Sequence, residues 1–126
     1  MQRPQMRVGV IGLGALGRPV SELLLKAGYR TAVYDVRREP VRELAALGAQ
    51  ACRAPVELAE QSDLIVSLVS DAAQTDGIVS GPDGILDGLQ RGAIFATGST
   101  LGPEPVPRVA MQIAAKGGDT LDIPIS

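Results

Sequence analysis

VGVIGLGALG, running from Val8 to Gly17, joins a short apolar run to three glycines and then to the start of an amphipathic pattern. Val8, Val10 and Ile11 read as a buried strand, and Gly12, Gly14 and Gly17 as a tight turn that opens a helix. In that order each glycine has its own use. Gly12 allows the turn, Gly14 leaves the backbone open to an approaching pyrophosphate, and Gly17 lets the helix lie close to the strand. The helix start supplies unpaired N–H groups and the positive end of its dipole, so an anion needs no lysine there. Leu13, Ala15 and Leu16 join the glycines as expected cofactor-side residues.

Outward from this turn, Leu16, Val20, Leu23 and Ala27 are spaced i, i+4, i+7 and i+11, which predicts a helix burying that stripe and ending at Gly28. Pro19 is awkward for this helix, because a proline past the first turn clashes with an earlier carbonyl; a local kink or a widened first turn is expected. Thr31 to Tyr34 reads as a second strand ending at Asp35, 18 positions after Gly17. That lies close to the roughly 20-residue offset at which a dinucleotide fold places an acid on the adenosine ribose. Pro40 to Leu47 reads as a second helix and Gln50 to Cys52 as a weak third strand.

The second half repeats the alternation. Pro55 to Gln61 is a short crossing helix, and Leu64 to Val69 is a continuously apolar strand, as expected of a parallel sheet covered on both faces. Ser70 and Asp71 are candidate caps for the next helix, and GPDG at Gly81 to Gly84 is a turn. Ala93 to Ala96 reads as the fifth strand, followed by a loop from Thr97 to Gly102. A helix then carries Val106, Val109, Ala110, Ile113 and Ala114 on one stripe, and Thr120 to Ile125 forms the sixth strand. Strands alternating with helices predict an α/β fold of Rossmann type: a doubly wound, mostly parallel sheet in the order 3-2-1-4-5-6 over residues 1–126. Ligands of such sheets sit at the carboxyl ends of strands 1 and 4, so the loops after Ile11, Tyr34, Val69 and Ala96 should converge on one crevice.

Composition narrows the chemistry. With 126 residues there is room for about one domain. Only Tyr29, Tyr34 and Phe95 are aromatic, so the core is aliphatic. The formal charge of −2 comes from 12 basic and 14 acidic side chains mixed along the chain, a pattern without the basic footprint of a nucleic-acid binder. No apolar run approaches the roughly 20 residues of a membrane span, and no leader pattern precedes the first strand, so a cytoplasmic protein is expected. A single cysteine, Cys52, and no histidine leave no convincing metal site and no histidine base.

Several segments together resemble the amino-terminal domain of the β-hydroxyacid dehydrogenases, the 3-hydroxyisobutyrate dehydrogenase and tartronate semialdehyde reductase group, related to the NAD-binding domain of 6-phosphogluconate dehydrogenase. IGLGALGRPV resembles the family's glycine motif, including its proline at Pro19. VYDVRRE is similar to its second-strand end, DLIVSLVSDAAQ to its fourth-strand loop, GSTLGPE to its substrate loop, and DIPIS to the opening of its DAPVSGG motif. The match runs from about Arg7 to Ser126. It implies an NAD(P)-dependent oxidation of a small β-hydroxyacid, or the reverse reduction. In the family a lysine of a following helical domain is the general acid/base, and that domain completes the substrate site and usually a dimer. Lys26 and Lys116 match no catalytic motif, so no catalytic residue is expected among these 126, and a cofactor-binding half is the reading. The partners expected are a dinucleotide and a small hydroxyacid, with a homodimer or self-association as a further candidate.

Each candidate also has a bland reading. The glycines can serve packing alone, and Asp35 can simply end a strand. Functionally, Asp35 would accept from both ribose hydroxyls and repel a 2′-phosphate, favouring NAD, whereas Arg37 and Arg38 beside it would accommodate that phosphate in NADP. Val36 sits between these groups. Leu68, Val69 and Ser70 end the fourth strand and are expected to run over the cofactor. Ser99 and Thr100 are either helix caps or, as the resemblance implies, contacts to the substrate carboxylate and the nicotinamide side. Cys52 reads as a small buried hydrophobe. An imine reductase domain is a competing reading, although those enzymes usually carry asparagine-arginine-threonine where this chain has Asp35, Val36 and Arg37. A non-catalytic module that senses NAD(H) is another, since a fold alone does not establish catalysis.

Overall fold

The computed structural model describes residues 5–69, 71–99 and 106–124. β-Branched and aliphatic runs form β1 (Val8–Ile11), β2 (Thr31–Tyr34), β3 (Gln50–Ala51), β4 (Leu64–Ser67), β5 (Ile94–Ser99) and β6 (Asp119–Pro124). They make one sheet in the order β3-β2-β1-β4-β5-β6, and all five pairings are parallel. The intervening helices are α1 (Gly17–Lys26), α2 (Arg38–Ala46), α3 (Pro55–Glu60), α4 (Ala72–Ser80) and α5 (Val106–Ala115), with a 3-10 turn at Ile85–Asp87. The expected Rossmann topology is therefore the observed one.

The helices divide between the two faces. Leu24 and Leu25 of α1 and Val41 and Leu44 of α2 pack on Val8, Val10, Val33, Leu64 and Val66. On the other face Leu58 and Ala59 of α3, Val79 of α4 and Val109 and Ile113 of α5 pack on Ile11, Ile65 and Phe95. Gly9, in the middle of β1, has no room for a side chain, because a Cβ there would overlap the Leu58 side chain and the Ser62 hydroxyl. Its lack of a side chain is what lets α3 lie on the centre of the sheet.

Three sequence expectations are corrected. The stripe Leu16, Val20, Leu23 and Ala27 does not form the buried face of α1: Leu16 and Leu23 are exposed, at 45% and 66%. The buried positions are Gly17 and Ser21, with Leu24 and Leu25 beside them. Packing against the glycine turn rotates the helix, since Gly17 must face the Gly12 carbonyl and Ser21 donates its hydroxyl to the Gly17 carbonyl at 2.8 Å. Pro19 falls in the first turn of α1, and the N–H groups on either side of it, those of Arg18 and Val20, donate to the carbonyls of Gly14 and Leu16 at 3.2 and 3.1 Å, so the helical pattern runs past the proline. Finally, β4 ends at Ser67 rather than Val69, and β5 continues through Thr97 and Gly98 to Ser99, where a loop was expected. β6 accounts for the extension: it pairs Thr97 with Asp122, Gly98 with Ile123 and Ser99 with Pro124.

Candidate functional site

The register aligns the carboxyl ends of the central strands, with Ile11 opposite both Tyr34 and Ser67. Strand order reverses between β1 and β4, and there a cavity of about 550 Å³ opens. Ile11, Gly12 and Gly14 line it from the glycine turn, Tyr34, Asp35, Val36 and Arg37 from the end of β2, and Leu68 and Val69 from the end of β4.

The three glycines have three separate causes. Gly12 has φ of +92°, a conformation that L side chains rarely adopt, and a Cβ would also press on the Leu68 backbone at 3.0 Å. At Gly17 a Cβ would collide with the Gly12 carbonyl oxygen. Gly14 differs, because a Cβ there would meet nothing within 4 Å and would project into open space. Turn and packing explain Gly12 and Gly17 without any ligand; neither explains Gly14, whose missing side chain leaves the cavity wall open. α1 has no side-chain cap and no acidic residue in its first turn, so the positive end of its dipole is not neutralised locally.

Asp35 is 8% exposed and anchors the second wall. Its Oδ2 accepts from the Leu13 N–H at 2.8 Å, which ties the glycine turn to the end of β2. Its Oδ1 accepts from the Arg37 N–H at 2.8 Å, and the Arg37 guanidinium lies against both oxygens. Burial alone would raise the Asp35 pKa, but the donors from Arg37 and then Leu13 outweigh it and hold the carboxyl below its ordinary range.

Of the expected cofactor-side residues, the structure gathers Gly12, Gly14, Asp35, Val36, Arg37, Leu68 and Val69 on the cavity. It does not place Leu13, Ala15, Leu16 or Gly17 on its lining. The Leu13 side chain is buried in the α1/α2 core and its N–H is committed to Asp35, while Ala15 and Leu16 are exposed at the entry to α1. Ser70 and Thr100 lie outside the described residues, and Ser99 closes β5 opposite Pro124. Reading the sequence missed the third wall, which is Pro55 at the start of α3, Gln74, Gly77 and Ile78 on α4, and Pro82 in the following turn. The signal was available, since α4 follows directly on the carboxyl end of β4. Cys52 is fully buried, and burial pushes its thiol up to about 12, so it is the inert hydrophobe expected. Among the described residues no three His, Cys, Asp or Glu side chains gather into a metal site, and no helix is long and apolar enough to cross a membrane.

Residues 7–126 match the family described as the NAD binding domain of 6-phosphogluconate dehydrogenase. The chain belongs to this family. As an NAD-binding domain of this type it is 33% identical over 121 residues to 2-(hydroxymethyl)glutarate dehydrogenase of Eubacterium barkeri, an alignment covering 96% of the chain and 40% of that enzyme. Among solved structures it is similar to 3-hydroxyisobutyrate dehydrogenase from Salmonella typhimurium, with a TM-score of 0.88 and 29% identity over 97% of this chain and 42% of that one. It is also similar to an imine reductase from Myxococcus stipitatus in complex with NADP+, with a TM-score of 0.84 and 27% identity over 94% and 40% of the two chains. The domain thus spans about 40% of the length of these relatives and is of the NAD(P)-binding type that hydroxyacid dehydrogenases and imine reductases share.

Proposed function

We propose that the crevice between β1, β2 and β4 holds NAD or NADP and that the domain presents this cofactor to a small β-hydroxyacid. One observation carries the reading: Gly14 leaves open space at the mouth of an uncapped helix, on the wall of a cavity that also contains Asp35. Gly12, Gly14 and the start of α1, at Ala15, Leu16 and Gly17, would cradle the pyrophosphate. Asp35, Val36 and Arg37 would meet the adenosine ribose, and Leu68, Val69 and Ser70 would run along the cofactor. Ser99, which ends β5, and Thr100 after it in the sequence would face the nicotinamide and the substrate carboxylate. A bound nicotinamide accepts or supplies a hydride. No residue of the chain is assigned as the general acid/base, which a further helical domain would provide together with the rest of the substrate site and a dimer interface. A cytoplasmic setting accompanies this reading.

Calorimetric titration of NAD+ and NADP+ into the 126-residue chain tests it, with Gly14→Ala as the decisive variant. The added methyl meets no protein atom, so the melting temperature should hold, while dinucleotide affinity should fall by roughly tenfold or more as the phosphate approach is blocked. Unchanged affinity in Gly14→Ala would remove the phosphate cradle. Sustained oxidation of 3-hydroxyisobutyrate by the 126 residues would overturn the division of labour. An imine substrate is the second reading, favoured by the likeness to the Myxococcus enzyme.

A further inference from the structure

The acceptor that a ribose would use is already filled by the protein. A carboxylate offers about four lone-pair positions, and four donors surround Asp35. Two are backbone groups fixed by the fold: the Leu13 N–H on Oδ2 and the Arg37 N–H on Oδ1, each at 2.8 Å. The other two belong to one guanidinium, with Arg37 Nε on Oδ1 at 3.2 Å and Arg37 Nη2 on Oδ2 at 3.3 Å. A vicinal diol binding to a carboxylate also needs one position on each oxygen. The Arg37 fork therefore occupies the places that the 2′- and 3′-hydroxyls would take.

We propose that Arg37 is a built-in competitor of the adenosine ribose at Asp35 and that its displacement sets the balance between NAD and NADP. This rests on the crevice being a dinucleotide site. For NAD, the two hydroxyls donate to Oδ1 and Oδ2 in place of Nε and Nη2, and the guanidinium, on a side chain 62% exposed, swings into solvent. The two backbone donors stay, so the carboxylate keeps its aim. For NADP the exchange fails, because an ionised 2′-phosphate has no proton to donate and meets Asp35 as a like charge. There Arg37 remains, its Nη2 also 3.4 Å from the Leu13 carbonyl, and offers its outward N–H groups to the phosphate. One side chain thus opposes NAD and assists NADP, so its removal must move the two affinities in opposite directions.

The test is calorimetry of NAD+ and NADP+ with the full chain, with Arg37→Ala and with Arg37→Lys, each variant checked by thermal melting. Arg37→Ala should tighten NAD+ about two- to fivefold, the range expected when an ion pair whose arginine is exposed to solvent no longer competes. The same change should weaken NADP+ about tenfold or more, since a charged hydrogen bond to phosphate is lost. Arg37→Lys keeps the charge without the fork. It should tighten NAD+ nearly as much and hold NADP+ between the other two proteins. If both dinucleotides weaken together, or NAD+ is unmoved in both variants, Arg37 is not a competitor, although the crevice still binds a dinucleotide. If the unaltered chain binds neither, the dinucleotide reading fails and this inference fails with it.

Discussion

Asp35 is charged, nearly out of water, and held by donors from two different elements. Such a group stabilises the fold only while it is ionised. Its folded pKa lies below the ordinary value, so its contribution is fully present above the unfolded pKa of about 3.9 and is lost as pH falls through the depressed folded value. Asp35→Asn should therefore be less stable than the unaltered chain at pH 7, where the ionised carboxylate accepts from Leu13 and Arg37. The gap should narrow as pH drops below about 4. Urea unfolding at pH 7, 4 and 3 measures it, and a gap that stays constant down to pH 3 would show that the carboxylate's charge is not what ties β2 to the glycine turn. Asp63 belongs to the same class, with its pKa lowered by the Arg7 side chain 3.0 Å away, but it is much more exposed than Asp35, so solvent screens that pair.

At the scale of elements, α4 is the one whose role was least legible. Its sequence, Ala72 to Ser80, lacks a strong apolar stripe, yet Val79 is buried in the core while Gln74, Gly77 and Ile78 line the cavity. Periodicity ranks helices by the face they bury, and α4 divides its residues between a core and a crevice. The same limit explains α1. Three successive leucines, 23 to 25, leave the buried face undecided, and the close approach of Gly17 and Ser21 to the glycine turn decides it. β5 was read short because Thr97, Gly98 and Ser99 look like a polar loop until β6 supplies their partners. By contrast, β1, β2 and the glycine turn were fully legible, because a strand, a forced positive φ and a close helix leave a sequence signature at each position. Asp71 was legible as a cap, and its side chain accepts from the N–H groups of Ala73 and Gln74 at 2.7 and 3.2 Å. Asp71→Ala should cost about 1 kcal/mol, which for a chain of this length lowers Tm by roughly 4 °C. Asp71→Asn should restore most of it. Scanning calorimetry decides, and an alanine variant as stable as the parent would mean that water satisfies the start of α4 equally well.

Across the whole molecule, the crevice joins the two halves of the sheet. Gly12, Tyr34 and Asp35 reach it from the β1–β3 half, and Leu68, Val69 and Ile78 from the half that begins at β4. Both cores cross between the halves, though unequally: Ile11, Ala32 and Cys52 pack in one cluster with Phe95 and Ile113, whereas the other, buried at Val10 and Val33, is covered from β4 by the partly buried Leu64 and Val66. Each half loses part of the cover of its core when the other melts. The domain should therefore unfold in a single transition, and a ligand in the crevice should shift that entire transition. Mass action sets the size: at a dinucleotide concentration of 100 times Kd the gain is about 2.7 kcal/mol, or roughly 10 °C in Tm for a chain of this length. Scanning calorimetry with rising NAD+ or NADP+ should show one peak moving upward with the logarithm of ligand concentration. A peak that splits, with only one part following the ligand, would mean that the bound nucleotide rests on one half of the sheet and that the reversal between β1 and β4 is not where it binds.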